Sequence, residues 1–259
     1  MAFILSSIML ALGLGAGMAA SMEVGFRLGM RERQQDPNDS PEGNGAVDST
    51  VFAILGLILA FTFTGALSRL DNRRELIAKE ANAIGTAYLR LDLLSAETQA
   101  ELRPIYRDYL SQRIDLANSV EQASVAEALF ESTLALQNQI WQISTQAVLA
   151  EGNPALTSLV IAATNDLIDV TNERLQAFRM HPPSVVYYLM YILALAAALL
   201  IGFNMSGQNK RSYFHAVLFC SIISATIYIT LELEDPRRGL LRISTGDRIL
   251  VELLDSMDP

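Results

Sequence analysis

The sequence predicts an all-α integral membrane protein: four transmembrane helices, with a helical bundle inserted between spans two and three. Three observations carry this. Runs free of Asp, Glu, Lys and Arg cover residues 1–22, 49–68, 180–209 and 212–231, each long enough for the roughly 20 apolar residues that cross a bilayer. The 259-residue chain is 51% hydrophobic and only 18% charged. The long segment between the second and third runs repeats its apolar residues at steps of three and four, the period of a helix packed on one side. Helices alone among open segments satisfy their own backbone in lipid, so the four runs are read as helical spans.

The elements follow in order. Residues 1–26 form the first span. Its GLGAGMAAS stretch also fits a signal-peptide cleavage site, but no Lys or Arg precedes it and the apolar run is long for a signal core. Residues 27–48, which include QQDPNDSPEGNGAVDS, are a flexible loop rich in Pro, Gly, Asn, Asp and Ser. The second span, 49–68, runs without a break signal into the bundle, 69–183. There Arg73, Ile77, Glu80, Ile84, Ala87 and Leu91 share one side, and the helix is expected to end near Leu94. Ser95 caps a second bundle helix, with Pro104 in its first turns or at a kink and Tyr106, Tyr109, Leu110, Ile114 and Leu116 on its apolar face. A third helix covers 124–151. Gly152-Asn153-Pro154 turns into a fourth, which His181-Pro182-Pro183 stops.

The third and fourth spans are 184–205 and 212–231, and residues 232–259 form a tail. In the tail, 235–239 reads as a turn and 240–244 as a short extended piece. Asp247 then caps an amphipathic helix with Ile249, Leu250, Leu253, Leu254 and Met257. That face needs a partner, either the bundle or a neighbouring subunit.

Composition excludes several functions. Net charge is −9 with no dense basic patch, so nucleic acid is not an expected partner. The lone Cys220 and the separated His181 and His215 make no metal cluster, and no phosphate loop or nucleophile elbow occurs. No enzymatic activity, cofactor or metal is expected. Glu80 and Asp92 read as helix-surface charges or as salt bridges to Arg73 or Arg90 rather than as an acid/base pair. The spans lack mid-membrane charges of the kind that ion-coupled transporters use, whereas a passive pore can be lined by hydroxyls, backbone and apolar constrictions.

The candidate site is therefore FTFTGALSRLDNRR, residues 61–74. On a helix Phe61, Gly65, Ser68 and Asn72 fall along one face, with Thr62, Ala66, Arg69 and Arg73 beside it. Phe61, Thr62, Gly65 and Ser68 are the pore-lining candidates; Arg69, Arg73 and Arg74 are the candidates for charge at the mouth. Two readings stay open: close packing of this span against neighbours, which explains small and hydroxyl residues without a pore, and an aromatic constriction with a cationic vestibule in an oligomer. Span four, with Ser221, Ser224, Thr226 and Thr230, invites the same pair.

Orientation is nearly balanced. Arg27, Arg31, Arg33, Lys210 and Arg211 lie on the side of the loops; Arg237, Arg238, Arg242 and Arg248 lie on the side of the tail. Arg69, Arg73, Arg74 and Lys79 tip the positive-inside rule toward a cytoplasmic bundle and termini.

The segment GLILAFTFTGALSRLDNRRELIAKEANAIGTAYLRLDLL, residues 56–94, resembles the bacterial bestrophin-like membrane family, as does DPRRG followed by LLRIS in the tail. The resemblance implies an oligomeric passive channel of the bacterial inner membrane, with anions favoured and small inorganic ions and the lipid bilayer as partners. By analogy with bestrophins it implies a pentamer with cytosolic termini. No bestrophin pore motif aligns residue by residue, so Phe61 and Phe63 suggest the aromatic neck of those channels without matching it. The alternative is a non-conducting sensor or scaffold whose bundle binds a ligand or protein.

Overall fold

The computed structural model describes residues 2–35, 45–119, 122–207, 213–235 and 244–257. Its helices are α1 (Ala2–Gln35), α2 (Gly45–Leu89), α3 (Ala96–Asn118), α4 (Ala123–Glu151), α5 (Pro154–Arg179), α6 (Ser184–Met205), α7 (Tyr213–Glu234) and α8 (Ser244–Ser256), with a 3-10 turn at Arg90–Leu93. No strand occurs among the described residues. The chain divides into two compact units. One holds residues 1–68 and 181–241, the other 69–180 and 242–259, so α2 contributes its first part to one and its second part to the other.

In the first unit, the helical stretches long and apolar enough to cross a membrane contain α1, α2, α6 and α7. The core is built from Met18 and Met22 of α1, Leu55 and Leu59 of α2, Met190, Ala194, Ala197 and Ala198 of α6, and Ile227 of α7. The tightest contact is between α1 and α6. A methyl group at Gly202 would overlap the Met22 carbonyl; at Gly25 it would strike the Leu199 carbonyl, and at Gly29 the Phe203 carbonyl and Ser206. Two small-x-x-x-small strips, Gly25 with Gly29 and Gly202 with Ser206, thus bring the backbones together. Such packing drives helix association in lipid, where burial of apolar surface does not.

Loop composition misplaced two boundaries. Residues 27–35 are helical, with Arg27 bonded to Glu23 one turn back at 2.8 Å. Residues 45–48 already belong to α2, where Asp48 places a carboxylate at the positive helix end and accepts from Asn204 at 2.5 Å. The charged residues of 27–35 end the apolar run without ending the helix. The rest of that loop, the tail turn at 235–239 beyond Asp235, and 240–243 lie outside the described residues. Ser244 opens α8 rather than closing an extended piece.

In the second unit the anticipated side of α2 is the buried one. Arg73, Ile77, Glu80, Ile84, Ala87 and Leu91 are all inside. The α-helix stops five residues before Leu94, and the tighter 3-10 turn completes the run. Ser95 caps α3 by accepting from the Thr98 amide at 3.4 Å. Pro104 sits inside α3, beyond its first turns, where it removes one amide from the ladder. Gly152, at φ 64°, ends α4 in the left-handed region, which glycine occupies without a Cβ penalty. Asn153 then accepts from the Ala155 and Leu156 amides at 3.1 and 3.4 Å, and Pro154 opens α5.

The bundle itself is the partner that α8 requires. Leu250 and Met257 are buried while Ile249 stays exposed. The Met257 carbonyl accepts from the Tyr88 hydroxyl at 3.2 Å and from Arg107.

Gly202→Val is expected to cost about 3 kcal/mol, in the overpacking range, and Asn153→Ala about 1 kcal/mol through the lost cap. Gly13→Val, with open space around it, should lower the thermal midpoint of the detergent-purified protein far less than Gly202→Val.

Candidate functional site

Two places carry the candidate groups: an outward strip of α2 in the first unit and a set of buried charges in the second. In the first unit Leu57, Phe61, Thr64 and Ser68 are exposed, Phe61 at 69%. Their spacing of four, three and four residues keeps them on one strip. Along the same uninterrupted helix, the next two steps reach Asp71 and Glu75, both exposed. The strip therefore passes from aliphatic through aromatic and hydroxyl groups to carboxylates.

The structure sorts the residues singled out from sequence. Phe61 and Ser68 stand on the open strip. Thr62 and Gly65 are half-buried. The Thr62 hydroxyl donates to the Ile58 and Leu59 carbonyls at 2.8 and 3.0 Å and lies 3.7 Å from the Met190 sulfur of α6. Its neighbour Thr64 is the hydroxyl that faces outward. Helical spacing alone groups Gly65 with Phe61 and Ser68 and does not say which side of the span is buried, so Thr64 was not among the candidates. Helical spacing from the buried Leu55, Leu59 and Ala66 would have selected it.

Of the arginines, Arg74 is exposed and lies 3.7 Å from Asp71, and Arg69 is half-buried. Arg73 is turned inward: its Nε donates to the Ala177 carbonyl at 3.2 Å and its Nη2 to the Met180 carbonyl at 3.1 Å. These carbonyls close α5 and have no partner within that helix, so a guanidinium there serves as a C-terminal cap.

In the second unit, Glu80 has no solvent exposure. It accepts from the Arg113 guanidinium through both Nε and Nη2 at 2.7 Å and pairs with Arg174 through its other oxygen. The pairing with Arg73 or Arg90 allowed by sequence proximity does not form, because Arg113 and Arg174 reach it from α3 and α5. Arg90 donates instead to the Leu159 carbonyl, and Asp92 pairs with Arg103 at the surface. Burial pulls the Arg113 guanidinium below its ordinary pKa, against the pull of the nearby Tyr109 oxygen.

One turn away, Gln137 of α4 donates to the Tyr109 hydroxyl at 3.0 Å and the Thr171 hydroxyl at 2.9 Å, which are themselves 3.0 Å apart. Tyr109 and Arg113 are neighbours on α3, and Thr171 and Arg174 on α5. The two sets thus form one buried polar layer through α2, α3, α4 and α5. Burial pushes the Tyr106 phenol upward.

An open groove of about 400 Å³ lies between α2 and α5 in the same unit. Lys79, Asn82, Thr86, Asp166, Asp169 and Glu173 are among its lining residues. Lys79 bonds Glu173 at 2.6 Å, and Asn165 holds Asp169 at 2.7 Å. No cluster of metal-ligand type occurs among the described residues.

Fold and site define a multi-pass, all-α membrane protein built on one long helix that serves both units. The Bestrophin-like domain profile matches residues 16–247, and the chain belongs to the Bestrophin-like family. Among solved structures, a bacterial bestrophin homologue from Klebsiella pneumoniae superposes with a TM-score of 0.68 at 16% identity, covering 96% of this chain and 98% of that one. A point variant of the Klebsiella pneumoniae homologue gives 0.66 at 15% identity over 92% and 98%. A structure described as a membrane protein variant gives 0.67 at 12% over 97% and 95%. No curated protein matches the sequence.

Glu80→Ala is expected to cost about 3–5 kcal/mol, since it leaves the buried Arg113 guanidinium without its carboxylate. Lys79→Ala, which removes an exposed pair, should leave the unfolding midpoint in place. Thermal unfolding in detergent reads both.

Proposed function

We propose that the protein is a passive ion channel of the bacterial inner membrane, assembled from several copies, with the open strip of α2 turned to the conduction path. The carrying observation is that strip. Leu57, Phe61, Thr64 and Ser68 are free of charge along the membrane part, and charged groups begin one turn further on at Asp71. A path of this kind passes ions through an apolar and hydroxyl-lined constriction without a costly buried charge. Assembly is supported by how little the protomer covers its own apolar stretches, of which 17–28% of residues are buried. The cytoplasmic side is proposed for the bundle, on the arginines and lysine that begin it.

Two readings of ion sign have support. Anions are favoured by the family analogy and by Arg69 and Arg74. Cations are favoured by Asp71 and Glu75, which occupy the strip while Arg73 is engaged with α5. We propose the second, on Glu75, because Arg74 at 3.7 Å offsets Asp71. The non-conducting alternative would place its ligand in the groove between α2 and α5.

Purified protein in planar bilayers should conduct, and Phe61→Ala should raise single-channel conductance by widening the constriction. The reversal potential in a potassium chloride gradient should report cation preference, moved toward anions by Asp71→Asn with Glu75→Gln. Absence of current at every salt and voltage, with a monomer in native mass spectrometry, would remove the channel reading. Labelling single cysteines on the bundle from either side, in a Cys220→Ser background, should find it cytoplasmic.

A further inference from the structure

Within the first unit, α1 uses its small residues in opposite ways toward its two neighbours. Against α6, Gly25 and Gly29 lie on main-chain carbonyls. Against α7 the approach is looser: a methyl group on Gly15 would stand 3.3 Å from the Ser224 hydroxyl oxygen. Beside that contact, Ile8, Leu12, Ala16 and Ala19 of α1 and Ser221 and Ala225 of α7 line an open, mostly apolar groove of about 580 Å³. A second cavity of about 210 Å³ shares Ala19, Val217 and Cys220 with the groove and carries it on to Glu23, Phe26 and Tyr213.

The lining residues of α1 recur at steps of three and four, so the groove follows one face of that helix. From Ile8 to Glu23 it covers fifteen residues, about 22 Å of helix. It is therefore longer than half of the roughly 30 Å hydrocarbon core, the depth that one lipid tail fills. Its volume is that of a small-molecule pocket, about 300–1,000 Å³.

Charge enters at one end. Glu23 lines the cavity there, and Arg27, one turn on, lies 2.8 Å from it with 74% of its side chain exposed. An exposed pair of this kind contributes little by itself, so it opens readily to opposite charges brought by a ligand. Tyr213 beside it is of the type found at headgroup level. A helix from a second copy seated here would cover Glu23 and Arg27 and strip both of water, which is costly for charges. A lipid leaves them hydrated and adds charged partners.

We propose that the α1–α7 groove is a phospholipid site selective for an ethanolamine headgroup. One acyl chain lies along Ala16, Ala19 and Ser221, the primary ammonium donates to Glu23, and the phosphate accepts from Arg27. A glycerol headgroup brings no cation to Glu23, and a choline headgroup brings no N–H donor.

The full-length protein in detergent is given an equimolar mixture of phosphatidylethanolamine, phosphatidylglycerol and phosphatidylcholine with identical acyl chains, and native mass spectrometry reads the lipid retained. Phosphatidylethanolamine should be retained about tenfold over the other two, the worth of one charge-assisted hydrogen bond. Glu23→Gln with Arg27→Gln should bring the three lipids level. Ala16→Phe with Ser221→Phe, which fills the groove, should lower retention of all three. Equal retention by the native chain, or an ethanolamine preference that survives loss of both charges, overturns the proposal. A filled variant that keeps its lipid and loses self-association places a second copy in the groove and overturns it equally. Should the filled variant fail to fold, the Glu23→Gln, Arg27→Gln chain decides, since both changes are at the surface. Lipid retention needs no current, so a silent channel recording removes the channel reading and leaves the lipid site in place.

Discussion

One buried carboxylate organises the second compact unit of this protein. Glu80 has no contact with solvent, and its two oxygens are taken by guanidiniums from α3 and α5. Removing an ion from water is costly, and only close, well-directed partners offset the cost. Much else follows from that requirement. Arg113 has to be inside, α3 has to pass within reach of α2, and α5 has to present Arg174 at the same level. The neutral layer of Tyr109, Gln137 and Thr171 then ties α4 to the helices that the charges have already brought together. In a low dielectric such a network strengthens when complete and fails when broken.

The two parts of α2 are held by different physics. In the apolar unit its inward residues are Leu55, Leu59 and Ala66, which fit by size. In the bundle its inward residues include Arg73 and Glu80, which fit by direction. The outward strip changes character over the same distance, from Leu57 and Phe61 to Asp71 and Glu75. A single element thus presents lipid-compatible chemistry at one end and water-compatible chemistry at the other, with no break in its hydrogen-bond ladder.

Much of the architecture could be read from periodicity. The inward side of α2 from Arg73 to Leu91, the Ser95 cap, the Gly152-Asn153-Pro154 junction and the bounds of α6 all follow from local rules about helical repeat, capping and backbone freedom. What local rules could not supply was the identity of distant partners. Glu80 lies near Arg73 and Arg90 in sequence, but its partners come from α3 and α5, an outcome of tertiary packing. Thr62 and Thr64 are chemically alike, and only their angles from Leu59 and Ala66 separate the one facing α6 from the one facing out. Arg73 was legible as a charge but not as a cap, because the carbonyls it serves belong to a helix that ends more than a hundred residues later.

The glycine seam between α1 and α6 has a mechanical consequence. Where Gly25 meets Leu199 and Gly202 meets Met22, main chain lies against main chain. There is no rotamer there to adjust and no side chain to take up slack. Sliding one helix along the other would drive carbonyls into Cα atoms, so the pair behaves as a single stiff strut. The contacts of α2 in the same unit run through leucine and methionine side chains, which can change rotamer and re-form. Compliance in this half of the molecule therefore resides in the helix that carries the outward strip, set against two helices that cannot yield.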